Sequence, residues 1–247
     1  MAHRIHALRL ATAPADCRNC FMEARCWEGS EAGGGSVPVR RMPTLNPGEL
    51  LWRSGGEFNA LYLVRHGAIK VYEVDLGGVE RVLQFAFAGD LLGLEALAVG
   101  HHESTAVALG ESMICRLAWP PAASAPAHDA ALSERLLRRA SAQLRQRARA
   151  TRLTDPDASV RGFLQELAAR LGREERVGDH VWLRQRLPMS RLEIGQYLGY
   201  AEETVCRSMR RLQSNGELEV SGRTLVIKKA TGVTAAAAAP AARPLSA

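Results

Sequence analysis

From Leu50 to Trp119 the chain is cut by glycine at nearly even intervals, and this punctuation limits its fold more than any other feature. Short apolar or alternating runs recur at Leu61 to Val64, Ala68 to Val74, Val82 to Phe87, Leu91 to Leu92, Thr105 to Leu109 and Met113 to Leu117. The breaks fall at Gly55-Gly56, Gly67, Gly77-Gly78, Gly89-Asp90, Gly93, Gly100 and Gly110. Strands this short at such spacing predict an antiparallel sandwich or barrel, such as a cupin-like jelly roll. The chain has 247 residues, 47% of them apolar, which suffices for roughly two domains of about 100–150 residues each and excludes wholesale disorder. No run approaches the ~18 consecutive apolar residues of a membrane span. The start, Met1-Ala2-His3-Arg4, lacks an apolar segment followed by a small-residue cleavage site. A cytoplasmic chain with no membrane partner is expected.

The texture changes after Pro120-Pro121. Leu132, Leu136, Leu137, Ala140, Leu144 and Ala148 recur at helical spacing through an arginine-rich stretch, which predicts a long amphipathic helix from about Asp129 to Leu153. Leu137, Leu144 and Thr151 lie seven apart, with Ala140 and Arg147 between them, a heptad frame suited to a weak dimer seam. Asp155-Pro156 ends that helix. A second follows with Val160, Phe163, Leu164, Leu167, Ala168 and Leu171 inward and Gly172 as its stop. His180 to Leu187 alternates as a strand. The expected division is 1–47 for a cysteine-bearing segment and linker, 48–125 for the β-domain, 126–154 for the dimerisation helix, 155–230 for a second folded domain and 231–247 for a disordered tail. The result is an α+β chain.

Charge separates the two halves. Residues 1–130 hold 11 Lys+Arg against 14 Asp+Glu, whereas residues 131–247 hold 21 against 12. A net of −3 beside a net of +9 suits a sensor joined to a polyanion binder. The basic half carries SRLEIGQYLGYAEETVCRSMRRLQSN from Ser190 to Asn215. It divides into two helices around Gly199, where a tight turn needs a left-handed backbone. Leu192, Ile194 and Leu198 are expected inward in the first helix, and Val205, Met209 and Leu212 in the second. The opposite face of the second shows Glu203, Cys206, Arg207 and Arg210. Such a face suits the major groove, with Glu203 accepting from cytosine N4 and Arg207 donating to guanine O6 and N7. Leu218 to Val220 and Leu225 to Lys228, around Ser221-Gly222, read as a two-stranded wing. Arg184, Arg186, Arg191, Arg210, Arg211 and Arg223 are candidates for phosphate contacts.

Five cysteines form an odd set, and three of them, Cys17, Cys20 and Cys26, crowd together. With the distant Cys115 they could hold zinc or an iron-sulfur cluster, since four soft sulfur ligands suit either; incidental cysteines are a third reading. His101 and His102 sit in a glycine-flanked turn and read as solvated loop residues. Enzyme classes find no support: the β-region has no His-x-His strand pattern, and no nucleophile-base pair or phosphate loop is present. RNA binding is disfavoured because residues 188–230 offer only Tyr197 and Tyr200 for stacking.

Taken together, these motifs resemble the cyclic-AMP receptor protein/FNR family of transcription regulators over about residues 15–230. Within it the oxygen-sensing FNR branch is nearest. Its marks are Cys17-x2-Cys20-x5-Cys26, Ser112-Met113-Ile114-Cys115, Gly89-Asp90-Leu91-Leu92-Gly93 followed by Gly100-His101-His102, and Leu198-Gly199 leading to Glu203-Thr204-Val205-Cys206-Arg207. The resemblance implies a cyclic-nucleotide-binding-like jelly roll, a long dimerisation helix and a winged helix-turn-helix. It implies a [4Fe-4S] cluster on Cys17, Cys20, Cys26 and Cys115, a homodimer when the cluster is intact, and control of the switch to low-oxygen metabolism. Partners would be double-stranded DNA carrying an inverted repeat with half-sites like TTGAT, and RNA polymerase. Glu203 and Arg207 become the base readers, with Cys206 at a position usually held by serine. Signals other than oxygen remain open, among them zinc, thiol redox or a cyclic nucleotide. The last is weakened because Ser104-Thr105-Ala106 lacks the phosphate-binding arginine of the nucleotide-sensing relatives.

Overall fold

A computed structural model describes residues 39–119, 130–150, 155–177 and 180–228. Eight strands build the first unit: β1 (Val39–Arg41), β2 (Leu50–Trp52), β3 (Ala60–His66), β4 (Ala68–Val74), β5 (Glu80–Phe87), β6 (Leu91–Leu92), β7 (Thr105–Ala108) and β8 (Met113–Ala118). They form two antiparallel four-stranded sheets in the orders β1-β8-β3-β6 and β2-β7-β4-β5. The second unit follows α1 (Ala130–Ala150) and contains α2 (Pro156–Leu171), β9 (Arg173–Val177), β10 (His180–Arg186), α3 (Arg191–Leu198), α4 (Glu202–Ser214), β11 (Leu218–Ser221) and β12 (Thr224–Lys228). Its sheet order is β11-β12-β10-β9.

Strand alternation explains the layering, because successive side chains point to opposite faces. Tyr62 and Val64 of β3, Ile69 and Val71 of β4, and Ile114 of β8 face one another between the two sheets with Trp52 and Leu92. Their neighbours face outward and are buried as well. Leu61, Leu63, Leu91, Cys115 and Leu117 form the outer face of the first sheet, with Leu136 of α1 packed against it. Ala68, Val82, Phe85 and Phe87 form the outer face of the second and merge with Val160, Leu164, Leu167 and Ile194 of the second unit. Each sheet therefore carries helices on its back.

Residues 1–47 are expected to be cysteine-bearing segment and linker, yet β1 lies within them and pairs with β8, Arg41 opposite Cys115. Leu45 also bridges Ser112. The charged run of β9 was not expected as a strand; it pairs with β10 along the sheet edge. Leu192, expected inward, is 49% exposed, whereas Ile194 two positions later is fully buried. Residues two apart on a helix do not share a face, so only one of them could turn in. Asp155 caps α2 by accepting from Ala158 N at 2.8 Å, with Pro156 in the first turn, and Gly172 closes it. Asp129, Leu153 and the expected tail 231–247 lie outside the described residues. Among the described residues no helix is long and apolar enough to cross a membrane.

His102 corrects a sequence expectation. It is 1% exposed rather than solvated. Its ring stacks on Trp52 at 4.3 Å, meets the edge of Phe58, and sets Nδ1 3.4 Å from Glu95 Oε1. His101 is exposed. Neither joins a metal-type cluster: among the described residues no group of three or more His, Cys, Asp or Glu is placed to hold an ion.

Candidate nucleic-acid interface and buried thiol

The helix pair around Gly199 is built by local chemistry. Ser190 caps α3, its hydroxyl accepting from Glu193 N at 3.1 Å, while Glu193 Oε2 accepts from Ser190 N at 2.7 Å. This reciprocal capping box satisfies two backbone donors at once. Gly199 ends α3 with φ +79°, a conformation that costs a side chain about 1–2 kcal/mol. Gly195 is the less obvious requirement. A Cβ there would stand 2.4 Å from Tyr200 O, so only glycine lets the turn close onto α3.

Val205, Met209 and Leu212 seat α4 in the core, at 0%, 3% and 1% exposure. Ser208 and Arg211 then fix it to α2: Ser208 Oγ donates to Asp157 Oδ1 at 2.5 Å and Arg211 Nη1 to Asp157 Oδ2 at 2.9 Å. Those two hydrogen bonds, Ser208 first, hold the Asp157 carboxyl below its ordinary range. Arg161 grips Glu217 at 2.6 and 3.0 Å and lowers that carboxyl likewise. The opposite face of α4 is left to solvent. Glu203, Arg207 and Arg210 are exposed and Cys206 is half-buried, so the four residues singled out from the sequence share one face at spacings of three, four and seven. Arg191 Nη1 reaches Cys206 Sγ at 3.7 Å. Among the arginines expected at phosphates, Arg211 is held by Asp157 and Arg184 by Glu175 at 2.6 Å.

Cys115 occupies a contrasting site. It is 2% exposed on the outer face of the first sheet, opposite Leu63 and Arg41 in register. Leu61, Leu63, Leu91 and Leu117 surround it, with Phe58, Leu94, Trp119 and Leu136 at the margin. Cys17, Cys20 and Cys26 lie outside the described residues.

Three polar ties, which nothing in the sequence pattern announced, connect the roll to the helices. Asp90, 3% exposed, accepts from Arg139 of α1 at 2.9 Å and from Arg170 of α2 at 2.7 Å. Gln143 of α1 donates to Leu91 O at 2.9 Å. Lys70, 7% exposed, lies 2.9 Å from Glu80 and 3.0 Å from Glu193. Burial alone would lower the lysine, yet its two carboxylate partners outweigh that and leave it raised. Glu193 shows the mirror image: burial pushes it up, and Ser190 with Lys70 brings it below the ordinary value.

With this geometry the chain matches two family models, the cyclic nucleotide-binding domain over residues 43–120 and the Crp-like helix-turn-helix domain over residues 160–234. It is 31% identical over 234 residues to the transcriptional activator protein FnrA of Stutzerimonas stutzeri, covering 92% of this chain and 94% of that one. It is 31% identical over 193 residues to the fumarate and nitrate reduction regulatory protein of Escherichia coli K12, covering 77% and 76%. Among solved structures, FixK2 from Bradyrhizobium japonicum superposes with a TM-score of 0.63 at 25% identity, covering 76% of this chain and 92% of that one. A CRP-family transcriptional regulator from Thermus thermophilus gives 0.62 at 24%, over 75% and 91%.

Proposed function

The chain belongs to the FNR branch of the cyclic-AMP receptor protein/FNR family of transcription regulators, and from that premise we propose that it senses oxygen at a [4Fe-4S] cluster held by Cys17, Cys20, Cys26 and Cys115. It is a DNA-binding regulator and not an enzyme, as its relatives are. Sensing is assigned to residues 48–125 with the N-terminal cysteines, dimerisation to 126–154 and DNA binding to 155–230. The working compartment is the cytoplasm, and RNA polymerase is the expected protein partner.

The position of Cys115 carries this reading. A cysteine between the two sheets would be closed off by Ile69, Val71 and Ile114, whereas Cys115 points to the back of the first sheet. Strand β1, which follows the N-terminal cysteines in sequence, lies directly beside it. Four thiolates are the donor set that iron-sulfur chemistry requires, and a leucine-lined wall limits access of water. When bound, the cluster supplies chemistry that oxygen destroys.

The chain's own residues link that site to assembly. Leu91 and Leu136 share the wall with Cys115, and α1 is held to the same edge by Gln143 on Leu91 O and Arg139 on Asp90. On its other side Leu137 and Leu144, seven residues apart, are 70% and 65% exposed, the seam a partner helix would cover. Two such protomers present two α4 helices to successive major grooves, so the target is an inverted repeat with roughly 10–11 base pairs between half-site centres. Glu203 and Arg207 read a G·C pair, Cys206 and Arg210 flank them, and Arg186, Arg191 and Arg223 track the phosphates.

The deciding experiment is purification without air. Stoichiometric iron and sulfide, visible absorbance that bleaches in air, and a shift from dimer to monomer in sedimentation are expected. Zinc without sulfide, or equal dimerisation with and without the cluster, overturns the sensing mechanism. Selection from random duplexes yielding no symmetric consensus overturns the DNA site.

A further inference from the structure

The back of the second sheet is docked on the helix-turn-helix, and the dock contains a buried cation. Lys70 Nζ rests between Glu80 Oε2 of β5 and Glu193 Oε1 of α3 and lies 4.6 Å over the Tyr72 ring. Around it Phe85 of the sheet, Phe163 of α2 and Tyr197 of α3 form a triangle with centroid separations of 5.3 to 6.0 Å. Glu193 divides its carboxylate between two tasks. One oxygen takes Lys70, and the other takes the backbone and hydroxyl of Ser190. The contact with the roll is thus fused to the group that starts α3.

This matters because the contact helps fix α4 relative to the roll. That helix is locked to α2 through Asp157 and packed on α3, so these three helices form one packed body. Among the described residues that body touches α1, the dimer axis of the proposed function, along a small contact with α2, and is otherwise joined to it through the roll. The roll is tied to α1 by Asp90 on Arg139 and Gln143 on Leu91 O. It is tied to the DNA-binding body by Asp90 on Arg170, by the aromatic triangle and by Lys70 on Glu193.

We infer that the roll is the ruler that separates the two recognition helices, and that Lys70, acting through Glu193, makes half-site spacing part of the sequence specificity. The inference rests on the proposed dimeric DNA binding and adds to it a residue far from any base. Lys70 is a positioning residue. Adding two base pairs between half-sites moves one of them by about 7 Å and rotates it by about 70°. A rigid dimer cannot follow this, whereas one whose DNA-binding body is released from the roll can. Simultaneous engagement is lost when geometry forbids it and survives when the linkage is loose.

The test compares two duplexes with the same half-sites, one at the selected spacing and one with two added base pairs, using cluster-loaded protein handled without air. Wild type is expected to bind the longer site about 100-fold or more weakly. Lys70→Met leaves Glu80 and Glu193 facing each other without their cation, and should cut that ratio to less than about tenfold. Glu193→Gln breaks the same tie while keeping a residue that serves in a capping box, so it tests the idea even if Lys70→Met folds poorly. Lys70→Arg should restore the discrimination. A variant merely less stable weakens both duplexes alike and leaves the ratio untouched. That result in Lys70→Met and Glu193→Gln overturns the inference, as does a wild type indifferent to spacing. A wild type that binds neither duplex overturns the DNA-binding reading beneath it.

Discussion

The two outer faces of the jelly roll are covered by helices in chemically opposite ways. Behind the first sheet the contact is dry: four leucines and one thiol meet Leu136, and the polar ties to Asp90 and Leu91 O sit at its edge. Behind the second sheet a lysine and a carboxylate are enclosed within the contact itself. An apolar contact tolerates sliding, because its attraction is non-directional. A buried ion pair does not, since a displaced partner leaves a charge unpaired. The first face is therefore suited to receiving a change and the second to holding a fixed geometry.

Substitutions on the two faces should separate cleanly. Cys115→Ala, at the first face, is expected to abolish iron and sulfide retention and the visible absorbance, with DNA affinity falling to that of the metal-free chain. Absorbance equal to wild type would break the assignment of that face. Phe85→Ala, at the second, removes a ring that is 7% exposed and should cost about 3 kcal/mol of stability in urea unfolding with cluster content unchanged. A parallel loss of cluster would mean that the faces are not independent. Arg207→Ala lies beyond both and should cost about 1–3 kcal/mol of DNA affinity with relaxed preference at guanine, read by titration against single-base variants of the site. Equal loss at every sequence would assign Arg207 to phosphate.

The smallest effect sharpens the contrast through pH. Glu193 titrates below its ordinary value of 4.5 in the fold. A depressed carboxyl contributes stability that is present above the unfolded value and is lost as pH falls through the folded one. Acid in that window should loosen the second face, where Glu193 meets Ser190 and shares Lys70 with Glu80, and spare the leucine wall. Melting curves from pH 7 to pH 3 should show a steeper fall for wild type than for Glu193→Gln. Identical slopes would remove the ion pair from the account.

Most of the roll was legible because β-alternation assigns each residue to a face: β4 and β6 have the expected limits, and Val205, Met209 and Leu212 are inward as their spacing demands. Other features escaped for definite reasons. Strand β1 and strand β9 lack an apolar alternation; their order comes from backbone pairing to β8 and β10. His102 looked like loop because its neighbours are glycine and polar residues, while its burial depends on Trp52, fifty positions earlier. Gly195 carries no local signal, since its need arises from Tyr200 O on the next turn of chain. Lys70 looks like an ordinary charge on a strand and Asp90 like an ordinary turn residue. Their partners lie 123 and 80 residues downstream at Glu193 and Arg170, a distance no spacing rule spans. Glu203, Arg207 and Arg210 were legible as one face, but the sequence could not tell that Arg184 and Arg211 are engaged by carboxylates.

The pairing of β1 with β8 also sets a timetable for synthesis. A ribosome adding roughly 5–20 residues per second completes Met113–Ala118 about 4–15 s after Val39–Arg41. Throughout that interval the three N-terminal thiols of the proposed site exist without the fourth and without the strand that brings them to it. A nascent chain in this state offers three sulfur ligands to whatever soft metal is at hand. Loading of the proposed site would thus be a matter of delay as much as of affinity: those thiols would have to stay reduced and unclaimed until the last strand of the roll has emerged.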